Sequence, residues 1–123
     1  MTVQELYQQI DGDYDAAKKI MMMDQMIGRF IVKLADDRTY EKLEAAGAAM
    51  DPAALFETAH TLKGVAANLG LTKLSAMASG ITEEFRPGKE RTMSDEQVKE
   101  KLEEIRALYG KTMDGIRAFS QNG

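Results

Sequence analysis

Between one turn signal and the next, the apolar residues of this chain recur at steps of three and four, and they never alternate over the length of a strand. Side chains spaced this way share one stripe of a helix with about 3.6 residues per turn, so each segment gains a buried face only by coiling. The spacing restricts the chain to an all-α fold. Ile20, Met23, Ile27, Phe30 and Leu34 form one such seam, which predicts a single helix from Tyr14 to Ala35 with Met23 buried along it. Tyr40, Leu43, Ala46 and Met50 predict the next, with Thr39 as its N-cap. Leu55, Ala59, Leu62, Ala66 and Leu69 mark a central helix, and Leu71, Leu74, Ala78, Ile81 and Phe85 mark its successor, reaching Arg86. Val98, Leu102, Ile105, Tyr109 and Ile116 carry a long last helix, in which Gly110 and Gly115 are expected to bend or fray the end.

The punctuation between these seams is equally specific. Thr2 with Glu5, and Ser94 with Gln97, have the spacing of capping boxes, in which a hydroxyl and an amide or carboxylate satisfy each other's backbone donors. The first box opens a short helix carrying Leu6 and Ile10, stopped by Asp11-Gly12-Asp13. Asp51-Pro52 starts the central helix, because proline at the first helical position lacks an N–H that would have been unpaired there. Gly70 closes it as the residue that tolerates a left-handed conformation, and Pro87-Gly88 breaks the chain after the next helix. The architecture expected is an antiparallel four-helix bundle with an extra short N-terminal helix as a cap. Residues 1–123 are expected to make a single domain, with Thr39–Met50 continuing the strut that begins at Tyr14.

Composition narrows the function. A net charge of -4 gives no basic field to recruit nucleic acid, and the absence of cysteine removes disulfides, thiolate chemistry and sulfur-based zinc sites. The longest apolar run falls short of the roughly 18 residues of a membrane span, and Met1-Thr2-Val3-Gln4-Glu5 does not read as a secretion signal. A cytoplasmic monomer with no membrane association is therefore expected.

The one histidine lies in Ala59-His60-Thr61-Leu62-Lys63-Gly64. At about 100° per residue, His60 points about 140° away from the centre of the central seam, with Lys63 and Gly64 flanking the seam on either side. Their spacing from His60 makes all three neighbours on the helix surface. An unperturbed imidazole is largely neutral near pH 7 and offers a lone pair that can attack phosphorus. Phosphoryl transfer needs in-line positioning and compensation of charge on the equatorial oxygens, which Lys63 can supply. Gly64 costs about 1 kcal/mol against alanine in a helix interior, and a bare patch for another protein's active site would account for it; close helix packing is the structural alternative.

Together with Asn68-Leu69-Gly70 and Leu74, this string resembles the signature of histidine-containing phosphotransfer (HPt) domains, the four-helix bundles of two-component phosphorelays. The resemblance covers the pattern from about Leu34 to Phe85. It implies a phosphocarrier with no ATP site of its own. His60 would accept a phosphoryl group at Nε2 from a receiver-domain aspartyl phosphate and pass it to another receiver, Lys63 would steady the oxygens, and Gly64 would permit docking. The implied partners are response-regulator receiver domains and a hybrid sensor kinase. Any magnesium would belong to the receiver, leaving no cofactor or metal on this chain. Many family members place a ring-orienting glutamine 22 residues after the histidine, where this chain has Thr82, which would reach the ring only through water unless Ser79 or Glu83 substitutes.

Phe56 and Ala67 share the outer face of the central helix with His60 and are docking candidates. Met22, Met26 and Arg29, in a stripe with Lys18 and Lys33, are expected to extend that surface, since methionine adapts to partners and cations suit an acidic active site. Two other readings compete: a non-catalytic helical interaction module with an incidental histidine, and an enzyme using His60 as general base, which requires a concave pocket and a carboxylate on the ring.

Overall fold

A computed structural model describes residues 1–122; Gly123, the last residue of the expected single domain, lies outside them. The described chain is helical throughout, in the order α1 (Val3–Gln9), α2 (Tyr14–Met21), α3 (Asp24–Lys33), a 3-10 turn (Leu34–Asp36), α4 (Thr39–Ala49), α5 (Pro52–Asn68), α6 (Thr72–Glu84) and α7 (Asp95–Asn122). None of the described helices is long and apolar enough to cross a membrane.

Four struts form the bundle, and the first is α3 followed by α4. Gly28 lies against Phe119, Tyr40 stacks on Tyr109 with centroids 4.3 Å apart, and Gly47 lies against Leu102. Rising numbers on the first strut meet falling numbers on α7, so the two run antiparallel. The short turns at Met50-Asp51 and at Leu69–Leu71 reverse the chain into α5 and then α6. Across the second turn the Ser75 hydroxyl donates to the Lys63 carbonyl at 3.0 Å, and farther along Arg86 lies over the ring of Phe56. Buried residues from α1 to α7 form one continuous core.

Both capping boxes are formed. Thr2 N–H donates to the Glu5 carboxylate at 2.8 Å and Glu5 N–H to the Thr2 hydroxyl at 3.1 Å. Ser94 and Gln97 exchange the same pair of bonds at 2.8 and 3.1 Å. The short α1 does cap the bundle: Leu6 and Ile10 pack on Gly115 of α7, and the Tyr7 hydroxyl donates to the Leu69 carbonyl at 2.6 Å. Gly115 therefore admits a neighbouring helix, and α7 runs unbroken through Gly110 and Gly115. Gly70 has φ +72°, and a Cβ there would stand 2.7 Å from the Ala17 nitrogen, so both conformation and space demand glycine. At that point the Asp13 N–H donates to the Gly70 carbonyl at 2.8 Å, fastening the start of α2 to the α5–α6 turn.

The expected helix from Tyr14 to Ala35 is two helices. Met22 takes φ +70°, ending α2, and α3 restarts at Asp24. Asp24 accepts from Lys18 at 3.0 Å and from the Tyr14 hydroxyl, closing the corner. The seam is broken with the helix: Met23 is 55% and Ile20 52% exposed, and the buried residues are Ala17, Ile27, Ile31 and Leu34. The first strut thus begins at Asp24 rather than Tyr14. Thr39 is the first residue of α4 and not its cap; its N–H donates to the Asp37 carboxylate at 2.8 Å.

Candidate functional site

Helix α5 fixes the direction of the site. The Asp51 carboxylate accepts from the Ala54 N–H at 3.3 Å, Pro52 occupies the first turn, and Leu55, Ala59, Leu62, Ala66 and Leu69 are buried. Leu55 and Leu62 are completely buried, and each contributes about 2 kcal/mol by leaving water. Turning α5 to bury His60 would expose both, a larger cost than any gain from covering one imidazole. His60 is exposed accordingly, Lys63 is half-buried beside it, and Gly64 and Ala67 are open on the same helix.

A Cβ built on Gly64 meets nothing within 4 Å. No packing contact explains this glycine, so the structural alternative falls away and an uncovered patch beside the imidazole remains. Among the described residues no hydrogen bond holds the His60 ring, and no carboxylate touches it as a general-base site would require. The ring lies instead against Phe56, one turn earlier, with centroids 5.8 Å apart and planes 8° from parallel. Such offset stacking is worth about 1 kcal/mol.

Thr82 does not orient the ring. Its side chain is fully buried and its hydroxyl donates to the Ala78 carbonyl at 2.9 Å, within its own helix. Threonine in a helix readily bonds the carbonyl four residues back, and that local partner wins over a distant one. Ser79 is half-buried, and Glu83 is committed elsewhere: its two oxygens accept from Arg86 Nε at 3.0 Å and Arg86 Nη2 at 2.7 Å. Hydrogen bonding from Arg86 is the main reason the Glu83 carboxyl titrates below the usual range, with the charges of Arg86, Lys63 and Lys89 adding to it. Arg86 in turn places its Cζ 5.3 Å from the centroid of Phe56. A row of contacts therefore leads from Glu83 through Arg86 and Phe56 to His60, joining α5 to the end of α6.

The proposed methionine stripe is divided. Because the chain turns at Met22, Lys18 and Met22 do not continue the register of Met26, Arg29 and Lys33. Arg29 lines a groove with the first residues of the chain and Phe119, while Met26 is half-buried. What adjoins α5 is a different set: Ile20, Met21, Phe30, Lys33 and Val65 line an apolar groove of about 410 Å³. The corner leaves Ile20, Met22, Met23 and Phe30 exposed.

One buried charge escaped the sequence reading. Glu84 is 2% exposed, and its carboxylate accepts from Thr92 N–H at 2.8 Å, the Thr92 hydroxyl at 2.7 Å and Met93 N–H at 2.7 Å. Burial pushes its carboxyl up, but these donors together with Lys89 outweigh burial and hold it at about 2. The signal was available: Glu84 lies three residues after Ile81, on the edge of the α6 seam, and a basic loop follows it.

Searches of the curated proteins and of the solved structures returned no match. A family model described as the Hpt domain matches residues 25–110, from the start of the first strut to well inside α7. With that match over more than half of its length, this helical bundle belongs to the Hpt domain family, the phosphotransfer carriers of two-component relays.

Proposed function

We propose that His60 is the phosphoacceptor, taking a phosphoryl group at Nε2 from a receiver-domain aspartyl phosphate and handing it to the aspartate of another receiver. The observation that carries this reading is the outer face of α5, where an exposed imidazole stands beside Lys63 and a glycine with nothing over it. The chemistry is a nucleophilic displacement at phosphorus. Lys63 offsets charge on the transferred group, and the receiver supplies magnesium and the acidic pocket around its aspartate. This chain contributes position and a nucleophile, and no ATP site.

Docking uses the apolar corner next to this face. Ile20, Met22, Met23 and Phe30 supply exposed apolar area, Ala67 lies open on the face of the histidine, and Lys33 and Lys63 give the surface a positive side toward an acidic partner. The carrier works as a cytoplasmic monomer. Incubation with a receiver phosphorylated on its aspartate should give acid-labile, alkali-stable label on this protein, and none on His60→Gln. Label that survives in His60→Gln would refute the assignment, and a wild type that takes no label from any receiver would leave an interaction module with an incidental histidine.

A further inference from the structure

We infer that Phe56, held by Arg86, is a positioning residue that sets the plane of the His60 imidazole. The inference rests on the carrier reading for its purpose and on geometry for its substance. The imidazole is exposed and has no hydrogen bond among the described residues, so packing of its neighbours alone can select its direction. Phe56 precedes it by four residues, the spacing at which helix side chains meet, and the two rings lie 8° from parallel. Two neighbouring flat rings held near parallel constrain both side-chain torsions of the histidine, since a change in either tilts the imidazole out of the parallel arrangement.

The phenyl ring is itself braced. Phe56 is half-buried and packs against the core, and the Arg86 guanidinium sits 5.3 Å from its centroid. Arg86 is held by two hydrogen bonds to Glu83. It also lies in the loop that Glu84 anchors through Thr92 and Met93, two residues past the end of α6. Cation–π attraction and the bidentate pair thus reach from α6 to α5 and restrict the ring on which the histidine rests. In-line attack on phosphorus is sensitive to such placement: a displacement of about 1 Å can cost up to about a hundredfold in rate. A phenylalanine on the outer face at this spacing, stacked on the single histidine, has an orienting role distinct from docking.

The test compares Phe56→Leu, Phe56→Tyr and Arg86→Gln with the wild type by two readouts. Because the chain has one histidine, its imidazole protons are assigned without ambiguity by NMR. Loss of the phenyl ring current in Phe56→Leu should move them toward their positions in a free peptide, while Phe56→Tyr leaves them in place. Transfer from a phosphorylated receiver, measured over a range of receiver concentrations, should show a maximal rate lowered about tenfold in Phe56→Leu and about threefold in Arg86→Gln. Half-saturation should change less than about twofold, and Phe56→Tyr should retain the wild-type rate. A loss confined to half-saturation would make Phe56 a docking residue and overturn the inference, as would an unchanged maximal rate in Phe56→Leu. If the wild type itself takes no label, the carrier reading fails and the resonances alone decide: His60 signals unmoved by Phe56→Leu would refute the orientation.

Discussion

Replacing Glu84 by glutamine isolates the electrostatic part of the α6–α7 connection. The carboxylate is buried and accepts three hydrogen bonds, two from backbone N–H groups and one from a hydroxyl, with Lys89 Nζ 3.5 Å away. Its carboxyl titrates at about 2 in the fold against an ordinary value of 4.5. At about 1.4 kcal/mol per pH unit this difference corresponds to about 3 kcal/mol of stability at pH 7. The folded value lies below the unfolded one, so the contribution is complete above about pH 5 and is lost as the pH falls toward 2. Both backbone N–H groups donate to Oε2 and only the Thr92 hydroxyl donates to Oε1. Glutamine can therefore keep its oxygen on the two N–H groups and turn its NH2 toward the hydroxyl, which can accept; what it loses is the charge. Glu84→Gln should therefore lower the unfolding free energy by about 2–3 kcal/mol at pH 7. Urea denaturation followed by circular dichroism measures the gap between variant and wild type at each pH, and carboxylates common to both cancel in the difference. By pH 3 about half of the stabilisation is gone and the gap should narrow to match. An equal gap at pH 3 and pH 7 would refute the reasoning, because it would mean that the charge contributes nothing beyond the shape of the side chain.

Two further substitutions separate structure from function on the central helices. Gly64→Ala should raise stability by up to about 1 kcal/mol, since the added methyl meets no neighbour and removes a helix penalty, yet it should slow phosphoryl transfer by standing where the receiver approaches. Thermal unfolding and transfer kinetics on one preparation check the opposed signs. Thr82→Val should cost about 1 kcal/mol through the lost bond to the Ala78 carbonyl and leave the transfer rate unchanged, which the same two measurements verify.

The features legible in the sequence are those set by local rules. The α5 seam is buried residue for residue, because a helix with apolar positions at steps of three and four has one way to hide them. Both capping boxes and the Asp51-Pro52 start needed only neighbouring residues, and they formed. What could not be read depended on contacts between distant segments. The seam from Ile20 to Phe30 keeps helical spacing straight across Met22, but α2 is fastened to the α5–α6 turn at Asp13 and Gly70 while α3 must lie along α7. Both demands are met only if the chain turns between them, and the break exposes Ile20 and Met23. Thr82 looked available for the ring until its own helix supplied the Ala78 carbonyl. Phe56 could be placed beside His60 from spacing alone, whereas the brace on it comes from Arg86, thirty positions later and brought near by the antiparallel return of α6.

The central claim is that the phosphoryl group rides on His60. The most direct measurement is to load the protein from a phosphorylated receiver, digest it at alkaline pH and locate the modification by fragmentation mass spectrometry, then add a second, unphosphorylated receiver and follow its loss. The account predicts phosphate on His60 alone, departing as the second receiver becomes labelled. Phosphate on any other residue, or phosphate on His60 that no receiver removes, would contradict it.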